Sequence, residues 1–161
     1  MDKNNHIVNF LEFLEPQIGQ EIHVGPWLLI DQQRIDQFAA VTGDQQWIHI
    51  DPERAENESP YGSTVAHGYL TLSLLPYLTE SNHPDFFQKN YPGMKYRVNY
   101  GLNRVRFPAP VKVGTKIRAR TTIQSVEEVK GAVQICYLVT VEIEGGEKPA
   151  CSAEFLARLY P

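Results

Sequence analysis

The sequence predicts an α+β fold in which one antiparallel sheet curls around an apolar helix, and three observations carry that prediction. Residues 61–79 (YGSTVAHGYLTLSLLPYLT) contain no Asp, Glu, Lys or Arg, and a helix apolar over most of its circumference has to be enclosed. Two later runs alternate: Ile117, Ala119, Thr121 and Ile123 against Arg118, Arg120, Thr122 and Gln124, then Val133, Ile135, Tyr137, Val139, Val141 and Ile143 at every second position. A period of two is that of a strand buried on one face. A further strand follows at 150–160, with Cys151, Ala153, Phe155, Ala157 and Leu159 on one side. Turn signals at Lys130-Gly131 and Gly145-Gly146 join these strands into an antiparallel meander.

The remaining elements follow in order. Ile7, Phe10, Leu11 and Leu14 fall at helical spacing, giving a short helix at about 6–15 that Pro16 and Gly19 end. Residues 20–30 are apolar without a helical stripe and contain Gly25 and Pro26, which suits an irregular edge strand. Asp31 is placed to cap a helix whose inner face is Ile35, Phe38, Ala39 and Thr42, and Gly43 is placed to stop it. Residues 45–61 have the Asp, Pro, Glu, Asn and Ser content of a loop. The apolar helix then opens after Gly62, with Ser63 and Thr64 in capping positions, and residues 96–107 alternate loosely as a strand. A sheet wrapped around one long central apolar helix is the arrangement called the hot-dog fold. With no repeat or linker, residues 1–161 read as a single domain.

Composition narrows the function. A hydrophobic fraction of 42%, a charged fraction of 21% and a formal charge of -4 argue against a nucleic-acid partner. The apolar stretch at 61–79 is short for a membrane span and is interrupted by Gly68 and Pro76, so no membrane association is expected. The opening MDKNNHIVNFLEFLE lacks the basic and long apolar regions of a secretory signal. Cys136 and Cys151, with no CxxC, read as reduced packing residues despite lying in neighbouring predicted strands, and cytoplasmic localisation is expected.

Asp44 and His49 lie five residues apart just beyond the Gly43 stop. Spacing alone leaves two readings open. Asp44 caps a turn and His49 is a half-buried loop histidine, or both face a cleft beside the apolar helix and hold one water for proton transfer. Asp51 invites a third reading, a metal site with Asp44 and His49, but no Cys/His or HExxH spacing accompanies them, and Asp51-Pro52 suits a turn opener. At Ala66-His67-Gly68 the helix start offers backbone N–H groups to a developing oxyanion, and Gly68 lets a ligand approach the backbone. The competing reading is that Gly68 only permits close packing. Ser63 and Thr64 suit caps rather than nucleophiles, since no GxSxG is present. Lys116, Arg118 and Arg120 read as the solvated side of a strand.

The stretches FAAVTGDQQWIHIDPERA and GSTVAHGYLTLSLL resemble the MaoC-like, (R)-specific enoyl-CoA hydratases, and GDQQWIH with NYGLNRVRFPAPV resembles their NodN-like branch. The resemblance covers residues 17–160. It implies that Asp44 and His49 activate the water added to a trans-2-enoyl-CoA, that the Gly68 amide polarises the thioester carbonyl, and that an (R)-3-hydroxyacyl-CoA results. It also implies substrate contacts from Trp47, Ser63, Ala66, His67 and Asn103, no metal or other cofactor, and a homodimer with sheets joined edge to edge. Gln46-Trp47 departs from the Asn-Pro of many members, and Pro76 stands where some carry serine. A thioesterase and a non-catalytic acyl-CoA binder are the alternative expectations.

Overall fold

The computed structural model describes residues 3–161 and is built on one six-stranded antiparallel sheet. Its centre is β4 (Lys116–Val129), β5 (Ala132–Ile143) and β6 (Cys151–Tyr160), in that spatial order and joined by the predicted turns. Ile117, Ala119, Thr121 and Ile123 are buried on one face, as are Val133, Ile135, Tyr137, Val139 and Val141. Beyond Ile123 the register slips by one residue, so the inward set of β4 changes phase after that bulge. On the outer face Arg118 and Arg120 each donate from Nε to Glu142, at 2.7 and 2.6 Å, and Arg120 also reaches Glu21 at 3.0 Å.

The short strands β1 (Glu21–Val24) and β2 (Leu28–Leu29) both pair with β4 and form one edge, as the irregular sequence at 20–30 suggested. Gly25 between them is required by packing: a Cβ there would stand 1.9 Å from the Leu78 carbonyl oxygen. The strand β3 (Tyr96–Arg106) does not continue the meander next to β4. It crosses to the far edge and pairs with β6, where it exposes Tyr96, Val98, Tyr100 and Leu102.

Helix α1 (Lys3–Leu14) buries Ile7, Phe10 and Leu14. In α2 (Gln32–Thr42) the Asp31 side chain accepts from the Arg34 amide at 2.8 Å, and Gly43 closes the helix at φ 77°, both as predicted. The expected loop at 45–61 instead holds α3 (Trp47–Ile50) and α4 (Pro52–Glu58). Asp51 caps α4, accepting from the Arg54 amide at 3.0 Å with Pro52 in the first turn, so Asp-Pro opens a helix rather than only a turn.

The central helix is shorter than expected and broken in two, α5 (Gly68–Ser73) and α6 (Leu75–Leu78). Two causes act. Thr64, Val65 and Ala66 are drawn into extended backbone bonds, with Val65 N donating to Ile48 O at 3.1 Å and Ala66 N to Val111 O at 2.8 Å, which delays the helix start to Gly68. Pro76 has no N–H to continue the helix, and the break falls at Leu74. Tyr69 and Tyr77 stay exposed, so the sheet encloses one side, through Leu70, Leu75 and Leu78. A seventh helix, α7 (Pro84–Asn90), follows.

Candidate active site

Between Gly43 and α5 the chain places Asp44, His49 and His67 together, each offering a ligand-type atom within 4.8 Å of the others. Helix α3 carries His49, which is buried, and donates its Nδ1 hydrogen to the Val65 carbonyl at 2.6 Å. A carbonyl oxygen only accepts, so the hydrogen is on Nδ1 and the Nε2 lone pair is free. Burial holds the His49 imidazole below its ordinary value. The Val65 hydrogen bond opposes that, His67 adds to the lowering and Asp44 works against it. His49 is therefore a neutral hydrogen-bond acceptor at neutral pH.

His67 is the last residue before α5. Its Nε2 donates to the Asp44 backbone carbonyl at 2.9 Å and lies 4.0 Å from an Asp44 carboxylate oxygen. Its ring stacks on His49 with centroids 3.7 Å apart and planes 24° from parallel, and Phe38 covers it at 5.0 Å. The Asp44 side chain is about half exposed, so it meets water on one side and the histidines on the other.

Gln32, overlooked at the sequence level, and Thr64, read there as a cap, hold this arrangement. Gln32 Nε2 donates to the His49 carbonyl at 2.7 Å, and the buried Thr64 hydroxyl donates to Gln32 Oε1 at 2.5 Å. One amide thus ties α2, α3 and the strand-like segment before α5.

His49, Ala66 and Gly68 line one cavity of about 310 Å³, with Tyr61, Phe107 and Val111 among its other walls. Gly68 is the first residue of α5, so its N–H has no acceptor within that helix. A Cβ on Gly68 would stand 3.0 Å from the Phe107 ring, so the glycine keeps this wall open. Asp44 and His67 adjoin His49 but are not among the residues that line the cavity. Of the other expected contacts, Trp47 stacks on Arg54 at 4.3 Å, Ser63 donates to the Thr64 carbonyl at 3.2 Å, and Asn103 is exposed on β3; none of the three lines the cavity. Ser63 and Thr64 do not cap α5, whose capping residue is His67.

Two face-stacked imidazoles hold their lone pairs in nearly parallel planes rather than aimed at one point, which fits poorly with a shared metal ion that both rings ligate in plane. Asp51, the third ligand of the metal reading, is spent on capping α4. A carboxylate and an imidazole with atoms within 4.8 Å of each other suit a bridging water better: two hydrogen bonds of about 2.8 Å at a water span about 4.6 Å.

A curled antiparallel sheet against a central helix, with Asp and His at that helix's start, defines a hot-dog protein of the hydratase type. The chain belongs to the family described as "MaoC like domain", which it matches over residues 13–145. It is 48% identical over 141 residues to 3-hydroxyacyl-thioester dehydratase Z of Mycobacterium tuberculosis, covering 87% of this chain and 89% of that one. It is 44% identical over 142 residues to Nodulation protein N of Rhizobium leguminosarum bv. viciae, covering 87% and 84%. Among solved structures, the monoamine oxidase regulatory protein of Archaeoglobus fulgius superposes with a TM-score of 0.73 at 25% identity, covering 89% of this chain and 90% of that one.

Proposed function

We propose that the protein is a hydro-lyase that adds water to trans-2-enoyl-CoA thioesters, or removes it from (R)-3-hydroxyacyl-CoA. The observation that carries this reading is that Asp44 and His49 hold ligand-type atoms within 4.8 Å of each other, with His49 lining the cavity that Gly68 also lines. A water between two acceptors donates both hydrogens to them and turns a lone pair outward, toward C3 of an enoyl group in the cavity. As the C–O bond forms, the dyad takes one proton, with Asp44 as carboxylate base and His49 holding the same water. One proton returns from the dyad, mediated by His49, to C2 on the same face, so addition is syn and no charge accumulates. The Gly68 N–H stabilises the enolate-like thioester oxygen through the intermediate stage. His67, bonded to the Asp44 backbone and stacked on His49, fixes the separation of the two.

The activity of the dehydratase Z relative named above supports this reading over a thioesterase. No metal or other cofactor enters it. A homodimer fits the exposed apolar side chains of the edge strand β3. Cytoplasmic localisation fits the two free thiols, Cys136 and Cys151. No described helix is long and apolar enough to cross a membrane.

Asp44→Asn and His49→Gln are each expected to reduce hydration of crotonyl-CoA, followed by loss of enoyl absorbance, by about a hundredfold or more. Circular dichroism checks that the variants fold. Wild-type turnover in a folded variant rejects the mechanism, and release of free thiol without loss of enoyl absorbance identifies a thioesterase.

A further inference from the structure

Gly68 shares its face of α5 with a second polar group. Thr71 stands three residues further on, at the spacing that puts two residues on one side of a helix, and it lines the same cavity of about 310 Å³. Helical side chains lean toward the N-terminus of their helix, so the Thr71 side chain lies over the turn that Gly68 opens. The glycine has no side chain to separate the two.

What marks Thr71 is a hydroxyl without a protein partner. Thr42, Ser73 and Thr79 each donate to the carbonyl four residues back, at 2.7, 2.7 and 2.8 Å, the usual use of a hydroxyl on a helix. Thr71 is 2% exposed, yet its hydroxyl makes no such bond to His67 and none to another described residue. Nor is it sealed in, for the sealed and unpartnered side-chain atoms are His23 Nε2, Arg34 Nε, His67 Nδ1 and Thr121 Oγ1. The Thr71 hydroxyl therefore opens on the space beside it, which is the cavity. Few other groups there can bond a ligand: His49 and Tyr61 bring the remaining polar side chains among the described walls, and the rest is apolar. Of the two hydroxyls, only that of Thr71 is carried by the helix that carries Gly68.

We propose that the Thr71 hydroxyl is a second donor to the substrate's thioester carbonyl, paired with the Gly68 N–H, an assignment that rests on the hydratase reading. As the C3–O bond forms, the electron pair of the C2–C3 double bond moves to the carbonyl oxygen. An enolate-like oxygen accepts more than one hydrogen bond, and the amide and the hydroxyl supply two. When C2 takes its proton from the dyad, the carbonyl double bond re-forms. Thr71 keeps its own proton throughout, so it holds charge and transfers none.

The test compares Thr71→Val, which removes the hydroxyl and keeps the shape, with Thr71→Ser, which keeps the hydroxyl. With crotonyl-CoA, Thr71→Val is expected to lower kcat by about tenfold or more with KM little changed, and Thr71→Ser to stay close to wild type. A second readout needs no turnover: the carbonyl stretch of bound butyryl-CoA, isotope-labelled at the thioester carbon, in difference infrared spectra. Each donor lowers that frequency, so the band is expected to move up in Thr71→Val and to return in Thr71→Ser. An unchanged kcat in folded Thr71→Val, an equal loss in both variants, or one band position in all three proteins overturns the proposal. A wild type that binds butyryl-CoA but hydrates no enoyl-CoA rejects the hydratase reading instead, and the band then decides alone whether Thr71 holds the thioester.

Discussion

The two ends of the α5–α6 segment make opposite use of polar side chains. At the α5 end the donors whose direction matters are spent on carbonyls: His49 on Val65, His67 on Asp44, and Gln32 on His49. What those residues leave free is a lone pair and a carboxylate, both acceptors. At the α6 end the surplus is of donors: the Thr121 hydroxyl has no partner among the described residues, and the Tyr91–Tyr137 pair has a hydrogen left over. The contrast teaches that donors are given a fixed direction where bonds are to be made, and are left partly unspent where no reaction depends on them.

That contrast breaks if the α5 end tolerates displacement. The largest effect after loss of the dyad is expected from Gly68→Ala, whose Cβ meets the Phe107 ring at 3.0 Å and shifts the cavity wall while keeping the amide. kcat/KM should fall by about tenfold to a hundredfold, since small misplacements at a reacting centre are costly. Unchanged kinetics would mean that Gly68 serves packing alone. Gln32→Leu comes next. It leaves the His49 carbonyl and the Thr64 hydroxyl without their partner, so stability should fall by about 1–3 kcal/mol in urea titration. kcat should fall by about tenfold with KM little changed, and a loss of stability with kcat intact would reduce Gln32 to a structural clamp.

The parts of this design that repeat were legible in the sequence, and those that depend on single long-range bonds were not. Strands β4, β5 and β6 announce themselves because burial on one face imposes a period of two, and α2 because Asp31 and Gly43 mark its ends locally. The place of β3 at the far edge is a matter of which strand it pairs with, and its sequence carries no sign of that. The central helix misled for a physical reason: residues without charge satisfy an enclosed helix and an enclosed extended segment alike, and 64–66 became the latter through bonds to residues 48 and 111. Asp44 and His49 were found as a pair, but the third member of their cluster is His67 rather than Asp51, because Asp51 has a local use at the start of α4.

The smallest expected effect is the most specific to the α5 end. With its imidazole held below the ordinary value of 6.5, chiefly by burial, His49 stays neutral as pH falls through that value. The acid limb of kcat/KM for crotonyl-CoA should therefore lie below 6.5. Stability follows the same group with a defined sign. A folded-state value lower than the unfolded one means that the unfolded chain binds more protons, so the contribution is complete above 6.5 and is lost as pH drops toward the folded value. His67→Phe keeps a ring against His49 but removes the neighbour that adds to the lowering, and it releases the Asp44 carbonyl. The acid limb should move to higher pH by a fraction of a unit, with a several-fold loss in kcat. An acid limb at or above 6.5 in the wild type, or one that His67→Phe leaves in place, would mean that the stacked pair is not what keeps His49 neutral and able to hold the water.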